Sequence, residues 1–453
     1  MTQIGGGDDL LALLDRVVGR AEPDEGVEAY GVDATETTVK AHGGDVESLS
    51  SARTRGVGVR VMRRARVGYA YTADLSEAAL TEALSEARAN ADVATPDEAN
   101  VLPQPADAEP LPELYDEAFA DTGPDDKVAL ALGLEAAARR DDRIKGVDAA
   151  QYGDGVTVAA LASTTGVRGS YRRCDAFVLA AVVAEADGST TSAYGWDLAR
   201  VPGDIDVEAA AAEAVTRATR LLGGRKPSSA KLPVLLDPYA AASFLGVLAG
   251  ALTAEAVQKG RSLFAGKIGE QVGPEDLALL DDGRLVDGPG AAPWDGEGVP
   301  TGRTALLEGG VLTGWLHNTY TAARDATAST GNASHSSFRS VPGISPTNLY
   351  FAPGADGQEA LVRRAGDAFY CQQVLGVHSG ANPVSGEFSV GAAGVMVRGG
   401  EFAEPVREAT IAGTVPQMLR GVVAVGADLR FLPFGAGMGG ATLLIEGMTL
   451  AGA

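Results

Sequence analysis

Histidine, cysteine and acidic residues are the side chains through which this chain could hold a metal ion, and their spacing is the first test of its chemistry. A metal site built from local sequence needs such residues at helical or loop spacing that converges. The sequence contains no HExxH, no HxH and no cysteine pair. The histidines each stand alone, at His42, His317, His335 and His378. Local sequence therefore predicts no metal site, although scattered histidines could still meet in the fold.

Neighbouring carboxylates are the next candidates, because two acidic groups side by side can carry out acid–base chemistry. They occur at Asp281-Asp282 and at Asp295-Gly296-Glu297. Acidic loops of this kind are more often solvated turns, which is the interpretation we favour. The chain also has no GxSxG elbow and no P-loop, and no glycine cluster has the spacing of a dinucleotide-binding turn. Residue types alone thus identify no catalytic group.

One stretch, LDPYAAASFLGVLAGALTAEAVQKGRS at residues 236–262, predicts a helix with a defined start. Asp237 can cap the free amides of the first turn, and Pro238 stands where its missing N–H costs nothing. The helix is apolar or small on every side, which is typical of a buried helix. It continues into a polar segment marked by glycines that a simple core helix does not need. The helix therefore either carries the residues of a functional site or surrounds such a site.

Length and charge limit the possible partners. A chain of 453 residues is expected to form two domains of ordinary size. It has 60 acidic and 37 basic residues, and the net charge of −23 repels nucleic acid and anionic lipid heads. We therefore expect neither nucleic acid nor a membrane as a partner. The basic run at residues 60–66 is the local exception, and we interpret it as a solvated hairpin turn or a subunit contact.

The cysteines and the apolar segments predict the compartment. Cys174 and Cys371 are far apart and lack CxxC spacing, which fits a reducing compartment without disulfides. The N-terminus lacks the basic and apolar regions of a signal peptide. The longest apolar run, near residues 239–252, is too short to cross a bilayer. We predict a soluble cytoplasmic protein.

The order of predicted elements indicates an α+β fold in two domains. Residues 1–225 are predicted as helices on a sheet, in subdomains 25–95 and 120–225 joined by a proline-rich connector. Residues 226–453 are predicted as mostly antiparallel β structure around the helix near 238–258. Two Gly-Gly pairs there, in TALLEGGVLTGW and GVMVRGGEFAEPV, are typical of tight hairpins. Helices in the first domain are predicted near residues 74–90, 125–140 and 206–222.

Several segments of the second half, in order, carry a family resemblance. They are KGRSLFAGKIGEQV, LDDGRLVDGPGAAPWDGEGVPTGRTALLEGGVLTGWL, STGNAS, PTNLYFAPG and HSGANPVSGEFSVGAAGVMVRGGEFAEPVREATIAG. With the weaker match of GVGVRVMRRARVGYAYT in the first half, the chain resembles the TldD/PmbA family. These are cytoplasmic peptidase-related proteins once described as modulators of DNA gyrase. The resemblance implies an N-terminal α/β domain and a C-terminal, mostly antiparallel β domain of the TldD/PmbA type.

The family has two kinds of subunit, and the resemblance assigns this chain to one of them. TldD-type chains carry HExxxH on a buried helix, with zinc-binding histidines, a glutamate base and a third ligand from a distal cysteine loop. Counted back from the KGRS segment, this slot falls on Leu245, Gly246 and Gly250, and the cysteine loop is missing after AVGADL. These three residues thus form a degenerate metal slot. The resemblance implies a PmbA/TldE-type subunit without catalytic residues or metal ligands.

The resemblance also implies a partner and a substrate. A TldD-like subunit would hold the zinc, and this chain would complete a heterodimeric metallopeptidase for small unfolded peptides. It would line the peptide chamber and offer strand edges to extended peptides. Candidate wall segments are residues 347–350 and 382–388. Candidate lining residues, which could equally pin turns, are Arg261, Ser262, Asp295, Glu297, Asn332, Asn348, Tyr350 and Asn382.

Two other functions stay open. The chain could be an autonomous metallopeptidase that uses His317 or His378 with an acidic residue, in which case the purified protein would hold stoichiometric zinc. It could also be a peptide-binding scaffold without a protease partner, in which case no TldD-like chain would copurify with it. The peptide substrate itself is not predicted.

Overall fold

The first half of the chain forms one six-stranded antiparallel sheet in the computed structural model, which describes residues 7–433 and 437–452. Its order is β3-β2-β1-β4-β5-β6. The strands are β1 (Gly26–His42), β2 (Asp45–Arg63), β3 (Arg66–Thr72), β4 (Ile144–Ser163), β5 (Arg168–Ala186) and β6 (Ser189–Ala199). The predicted segments 25–95 and 120–225 therefore each supply three strands to a shared sheet.

Helices cover one face of this sheet. They are α1 (Gly7–Val18), α2 (Glu77–Val93), α3 (Pro124–Ala138) and α4 (Val207–Arg220). Because side chains alternate along a strand, Ala160 of β4 packs beneath α1 and α2 while Leu161 faces Trp294 of the second half. Ser76 and Asp206 cap their helices by accepting bonds from Ala79 N and Ala209 N. The three helices predicted in this half are confirmed, with their ends shifted by one to three residues.

The second half is built from short strands. In chain order they are β7 (Ala230–Leu236), β8 (Leu279–Asp282), β9 (Arg303–Glu308), β10 (Val311–Leu312), β11 (Ala333–Ser334), β12 (Gly343–Ile344), β13 (Leu349–Phe351), β14 (Ala368–Leu375), β15 (Glu387–Arg398), β16 (Glu401–Thr414), β17 (Val422–Val425), β18 (Arg430–Phe431), β19 (Met438–Gly440) and β20 (Leu443–Gly452). Both predicted Gly-Gly turns are present, since Gly309, Gly310, Gly399 and Gly400 have φ values of 57°, 73°, 57° and 84°.

These strands form two larger sheets and a small pair. One sheet has the order β16-β15-β14-β7-β20-β17, and an added pairing of β16 with β20 closes it into a barrel-like ring. The other has the order β10-β9-β8-β13-β19-β18, and β11 pairs with β12. Only β7–β14 and β13–β19 are parallel among the described strand pairs. The α+β prediction is confirmed.

Helices of the second half connect and fill these sheets. They are α5 (Pro238–Ala251), α6 (Ala254–Gln258), α7 (Thr319–Arg324), α8 (Gln358–Ala365), α9 (Val377–Gly380) and α10 (Val415–Arg420). The single helix predicted near 238–258 is wrong in one respect, because it breaks at Leu252 and Thr253. Leu316 bridges the break, donating to Leu252 O and accepting from Ala254 N, and Thr253 caps α6 through Ala256 N. None of the helices in the described ranges is long and apolar enough to cross a membrane.

Candidate functional site

The start of α5 is fixed by a buried ionic group. The Asp237 carboxylate caps the helix by accepting from Tyr239 N at 3.0 Å, as predicted. It also accepts from the Arg217 guanidinium of α4 at 2.8 Å and from the Tyr370 hydroxyl of β14 at 2.5 Å. Both Asp237 and Arg217 are buried, so the pair replaces the water each charge gives up. These bonds orient α5 against elements from both halves of the chain.

Helix α5 has one buried face and one open face. The buried face packs into the main core of the second half through Ala240, Ala241, Ala242, Phe244, Leu245, Leu248, Ala249 and Ala251. On the other side Gly246 and Gly250 are exposed, and Ser243 and Val247 are partly exposed. A Cβ added at either glycine would meet no heavy atom within 4 Å. The expectation of burial on every side is therefore wrong, and we call these four residues the open face of α5.

The residues at the degenerate slot do not fit a metal ion. Leu245 turns inward and is 1% exposed, while Gly246 and Gly250 carry no side chain. Zinc is held in proteins by imidazole, thiolate and carboxylate groups, and the slot offers none of them. Within residues 7–433 and 437–452, no group of three or more His, Cys, Asp and Glu side chains is placed to hold a metal ion.

One of the two histidines named for an autonomous enzyme, His317, is buried. His317 follows Leu316 at the break between α5 and α6, is 6% exposed, and has a pKa lowered by burial. It belongs to no metal-binding group among the described residues. The side chain of His378 lies outside the described part of the structure.

Three of the predicted lining residues lie near α5 or on its flanking loops. Ser262 is buried, where its hydroxyl donates to Ala251 O at 2.5 Å and accepts from Phe264 N. Arg261 beside it is exposed. Asn382 is exposed and accepts from two backbone amides of its own turn. The segment 382–388 reaches the helix through Phe388, whose ring packs edge-on against Phe244 with centroids 5.0 Å apart.

Three further predicted lining residues are buried, and two of them, Asn332 and Asn348, bridge loops. Asn348 bridges Gly290 N and Asp282 O, and Asn332 donates to the Asp281 carboxylate at 2.6 Å. Tyr350 is 7% exposed and packs edge-on against Phe431. Asp281 is itself only 1% exposed, so the expectation that Asp281-Asp282 is a solvated turn is wrong. Loop backbones lacking regular partners need such side chains to satisfy their buried amides.

The second acidic pair is buried where the two halves of the chain meet. Arg60 of β2 donates to Glu28 of β1 and to Glu297, each at 2.7 Å, and we call these three residues the boundary triad. All three are less than a tenth exposed. The expectation of a solvated turn is therefore wrong for Arg60 and for Glu297. The turn of that hairpin lies further on, at Arg64 and Ala65, whose φ values are positive.

One guanidinium faces two carboxylates in the triad, so the carboxylates differ in acidity. Burial raises the pKa of Glu28 to about 7, against the attraction of Arg60. Burial also acts on Glu297, but the charge of Arg60 and the bond from the Thr319 amide outweigh it and lower the pKa. The extra amide donor from Thr319, at 2.8 Å, explains why Glu297 holds its charge more firmly.

A cavity of about 340 Å³ lies beside the triad and is lined by the predicted residue Asp295 and by Thr347 of the predicted wall segment 347–350. Its carboxylate accepts from Glu297 N, Val299 N and Ala333 N. Burial and the charge of Glu297 raise its pKa to about 8, against those three bonds. Tyr30 stacks on His335 at 4.1 Å in the same wall, and burial lowers the pKa of His335 to about 4.

A second cavity of about 770 Å³ adjoins the first and shares Tyr171 and Trp294 with it. The proline-rich connector forms its other wall. Sequence reasoning missed Tyr30, Tyr171 and Trp294 because they come from distant elements. Alternation along β1 and β5 could have placed the two tyrosines on the face away from the helices.

Family models and relatives match almost the whole chain. Three models describe PmbA/TldA metallopeptidases: domain 1 matches residues 27–91, the central domain 117–222 and the C-terminal domain 229–452. The metalloprotease PmbA of Escherichia coli O157:H7 is 28% identical over 409 residues, which are 90% of this chain and 88% of that protein. The TldD homologue of Haemophilus influenzae, also called a metalloprotease, is 26% identical over 85% of this chain and 82% of its own length.

Solved structures show the same fold. A protein from Thermotoga maritima described as a putative modulator of a DNA gyrase superposes with a TM-score of 0.88 at 28% identity, covering 98% of this chain and 99% of that one. TldE from Thermococcus kodakarensis superposes with a TM-score of 0.85 at 22% identity and the same coverage.

Proposed function

The chain belongs to the PmbA/TldD family of metallopeptidases, and from this premise we propose that it is a non-catalytic subunit of the PmbA/TldE type. In this proposal it pairs with a TldD-like subunit, which supplies the zinc, in a heterodimer that cleaves small unfolded peptides. We place the complex in the cytoplasm, in keeping with two cysteines that are both free and buried.

One observation carries the proposal. At the position of the family's metal-binding motif, α5 buries Leu245 and exposes the bare backbone of Gly246 and Gly250. Activation of water by zinc needs ligands and a base at those positions, and this chain supplies neither. The catalytic groups must then come from another chain.

The open face of α5 also gives this subunit a role in binding the peptide substrate. Glycines leave the helix backbone approachable, and the turn at Asn382 and its neighbours stands exposed beside α9, which contacts α5. A peptide in extended form can pack closely against the glycines of the helix, because they carry no side chain, and can form main-chain hydrogen bonds with the exposed turn, so that it is accepted with little regard to sequence. We therefore assign the open face to the wall of the peptide chamber.

The first test is reconstitution with the cognate TldD-like chain. We expect the two chains to copurify, an unfolded peptide to be cleaved only when both are present, and elemental analysis to find zinc only in the partner. Changing the glutamate of the partner's HExxxH to glutamine should abolish cleavage while leaving the complex intact. Stoichiometric zinc in this chain alone, or cleavage by it alone, would refute the proposal.

A second test addresses the open face directly. Gly250→Trp places a large ring in open space, so the isolated chain should fold normally while cleavage by the heterodimer falls by roughly tenfold or more. Gly203→Trp is the matched control, since Gly203 is also exposed with no neighbour near its Cβ position but lies in a turn before α4. Equal cleavage by the two variants would remove the open face from the peptide chamber.

A further inference from the structure

A small apolar cavity of about 230 Å³ lies where the first sheet meets the start of α5. Strands β5 and β6 supply one wall, and Tyr239, in the first turn of α5, supplies another. The residues directly after β18 complete it. We call it the aromatic pocket, and its wall residues in the described ranges are all uncharged: Leu179, Ala181, Tyr194, Trp196, Tyr239, Leu432 and Pro433.

Alternation along β5 and β6 puts the strand residues of the pocket on the face of the sheet away from the helices. Ala180 points into the core under α3 and α4, so Leu179 and Ala181 on either side of it point the other way. Trp196 lies opposite Leu179 across the strand pair, and Tyr194 lies opposite Ala181. Because alanine is small, the sheet has a hollow beside the Tyr194 ring.

The three aromatic rings of the pocket are held in place by their neighbours. Tyr239 packs edge-on against Tyr194 with ring centroids 4.8 Å apart, and the Trp196 ring lies 5.4 Å from that of Tyr239. The Trp196 indole N–H donates to Phe431 O at 3.2 Å. Burial and the hydrogen bond with Tyr239 raise the pKa of Tyr194, so its hydroxyl stays neutral. Rings fixed in this way lose little conformational freedom when a ligand packs against them.

The charges around the pocket limit what it can hold. The Arg430 guanidinium lies 4.8 Å from the Trp196 ring centroid and is bound to Glu213 at 2.6 Å. The Arg217 guanidinium lies 5.9 Å from the Tyr239 ring centroid and is paired with the carboxylate that caps α5. Two rings thus already face cations, which would repel a third, and each cation already has a carboxylate partner in place of an anionic ligand. The pocket therefore favours an uncharged, apolar group.

Size and wall chemistry narrow the occupant to one aromatic side chain. An apolar cavity of about 150 Å³ can take a benzene ring, so the aromatic pocket, at about 230 Å³, has room for one ring and its first methylene group. Aromatic walls favour an aromatic occupant over an aliphatic one, because edge-to-face contact between rings adds to the gain from burying area.

The aromatic pocket lies in line with the open face of α5. Tyr239 precedes Ser243 by four residues, and Ser243 precedes Val247 by four. Residues at this spacing lie on one side of a helix, so the stripe from Tyr239 to Gly250 is continuous. At 1.5 Å per residue the stripe is about 16 Å long, which an extended peptide covers with about five residues.

We propose that the aromatic pocket binds one aromatic side chain of a peptide that lies along the open face of α5. Main-chain contacts accept most sequences, so this pocket gives the subunit a preference for substrates that contain an aromatic residue. The inference rests on the function proposed above where it places the open face inside the peptide chamber. Binding to the pocket itself needs only this chain.

Peptide binding to the isolated full chain tests the pocket without a partner. The probes are unlabelled heptapeptides of glycine with phenylalanine, leucine or serine at the centre, and isothermal titration calorimetry measures their dissociation constants. We expect the phenylalanine peptide to bind at least about tenfold more tightly than the serine peptide, and more tightly than the leucine peptide. A phenylalanine peptide that binds no better than either of the others would overturn the proposal.

Filling the hollow tests where the ring binds. Ala181→Leu puts a larger side chain into the pocket and should weaken binding of the phenylalanine peptide by roughly tenfold, to the level of the serine peptide. Ala78→Leu is the matched control, since Ala78 is exposed on α2 at the other side of the sheet, and should leave the affinity unchanged. Tyr239→Ala removes one ring of the wall and should act like Ala181→Leu, with urea unfolding to show that each variant is folded. Unchanged affinity in the folded pocket variants contradicts the assignment.

Cleavage of the same peptides by the heterodimer separates this inference from the function on which it rests. Equal kcat/KM for the phenylalanine and serine peptides would leave the proposed function standing and overturn the pocket. If the isolated chain prefers the phenylalanine peptide and loses that preference in Ala181→Leu, while no peptide is cleaved by the two chains together, the pocket stands and the proposed function fails.

Discussion

The boundary triad and the open face of α5 use opposite kinds of residue for opposite purposes. The triad of Glu28, Arg60 and Glu297 contains charged groups of the kind used in catalysis, yet all three are buried and both carboxylates are bonded to Arg60. The open face has no reactive group and is reached by solvent. In this chain, residues typical of catalysis join the two halves, and a surface of small residues is accessible to solvent.

The difference follows from the cost of burying charge. A carboxylate removed from water is tolerated only when cations or hydrogen-bond donors replace the lost solvation. Glu297 meets that demand through Arg60 and the Thr319 amide, whereas Glu28 meets it only in part and keeps a raised pKa. A glycine on an exposed helix face makes no such demand, and its lack of a side chain is what lets another backbone approach.

Removing the cation of the triad should have the largest effect. Arg60→Met removes the cation of the triad, which leaves Glu297 with only the Thr319 amide and forces Glu28 to take up a proton, so we expect the free energy of unfolding in urea to fall by about 3–5 kcal/mol at neutral pH. Arg55→Met on the exposed part of the same strand is the control and should change it by less than about 0.5 kcal/mol at low protein concentration.

A second variant separates lost packing from unpaired charge. Adding Glu28→Gln and Glu297→Gln to Arg60→Met removes the uncompensated carboxylates and should recover part of the loss. If Arg60→Met alone is as stable as the parent chain, the triad does not hold the two halves together and a role in function has to be considered instead.

The pH dependence of the triad gives the next largest effect. The pKa of Glu28 is raised from 4.5 to about 7, so its stabilising contribution is fully present below 4.5 and is lost as the pH rises through about 7. Glu28→Gln should therefore gain stability relative to the parent chain across this window, by up to about 3 kcal/mol. Urea unfolding at a series of pH values measures it.

Glu297 supplies a control of opposite sign. Its pKa is lowered, so its contribution is present above the ordinary value and is lost as the pH falls. Glu297→Gln should thus be most destabilising near neutral pH and less so in acid. Identical pH profiles for the two variants would show that the carboxylates share the charge of Arg60 equally.

The fold was largely predictable because its signals are local. Alternation along β1 to β3, caps at Ser76, Asp206 and Asp237, and Gly-Gly turns all depend on residues close in sequence. The break between α5 and α6 was not predictable in this way. It depends on Leu316, which lies more than sixty positions from Leu252 and supplies backbone partners at the break.

The site was less predictable, for a related reason. Arg60 was predicted to lie in a basic turn, because its partner Glu297 lies 237 positions away and local sequence does not show the pairing. Asp281 and Asp295 were predicted to be solvated. The amides that bind them, at Thr347 and Ala333, come from other loops and cannot be identified from local sequence. The open face of α5 was missed because composition shows that a helix is apolar but not whether something covers each side.

The smallest effect tests whether that face is open in the isolated chain. Gly246 lies inside α5 with free space at its Cβ position, so Gly246→Ala should raise the free energy of unfolding by about 0.5–1 kcal/mol through helix propensity alone. Gly440 of β19 is the matched control on the buried side of the helix, where a Cβ would collide with Pro238 O, and Gly440→Ala should destabilise the chain. Because both substitutions add the same methyl group, opposite signs would locate the open face. If Gly246→Ala destabilises the isolated chain as Gly440→Ala does, both sides of α5 are packed, and the contrast between a buried charged boundary and an accessible helix disappears.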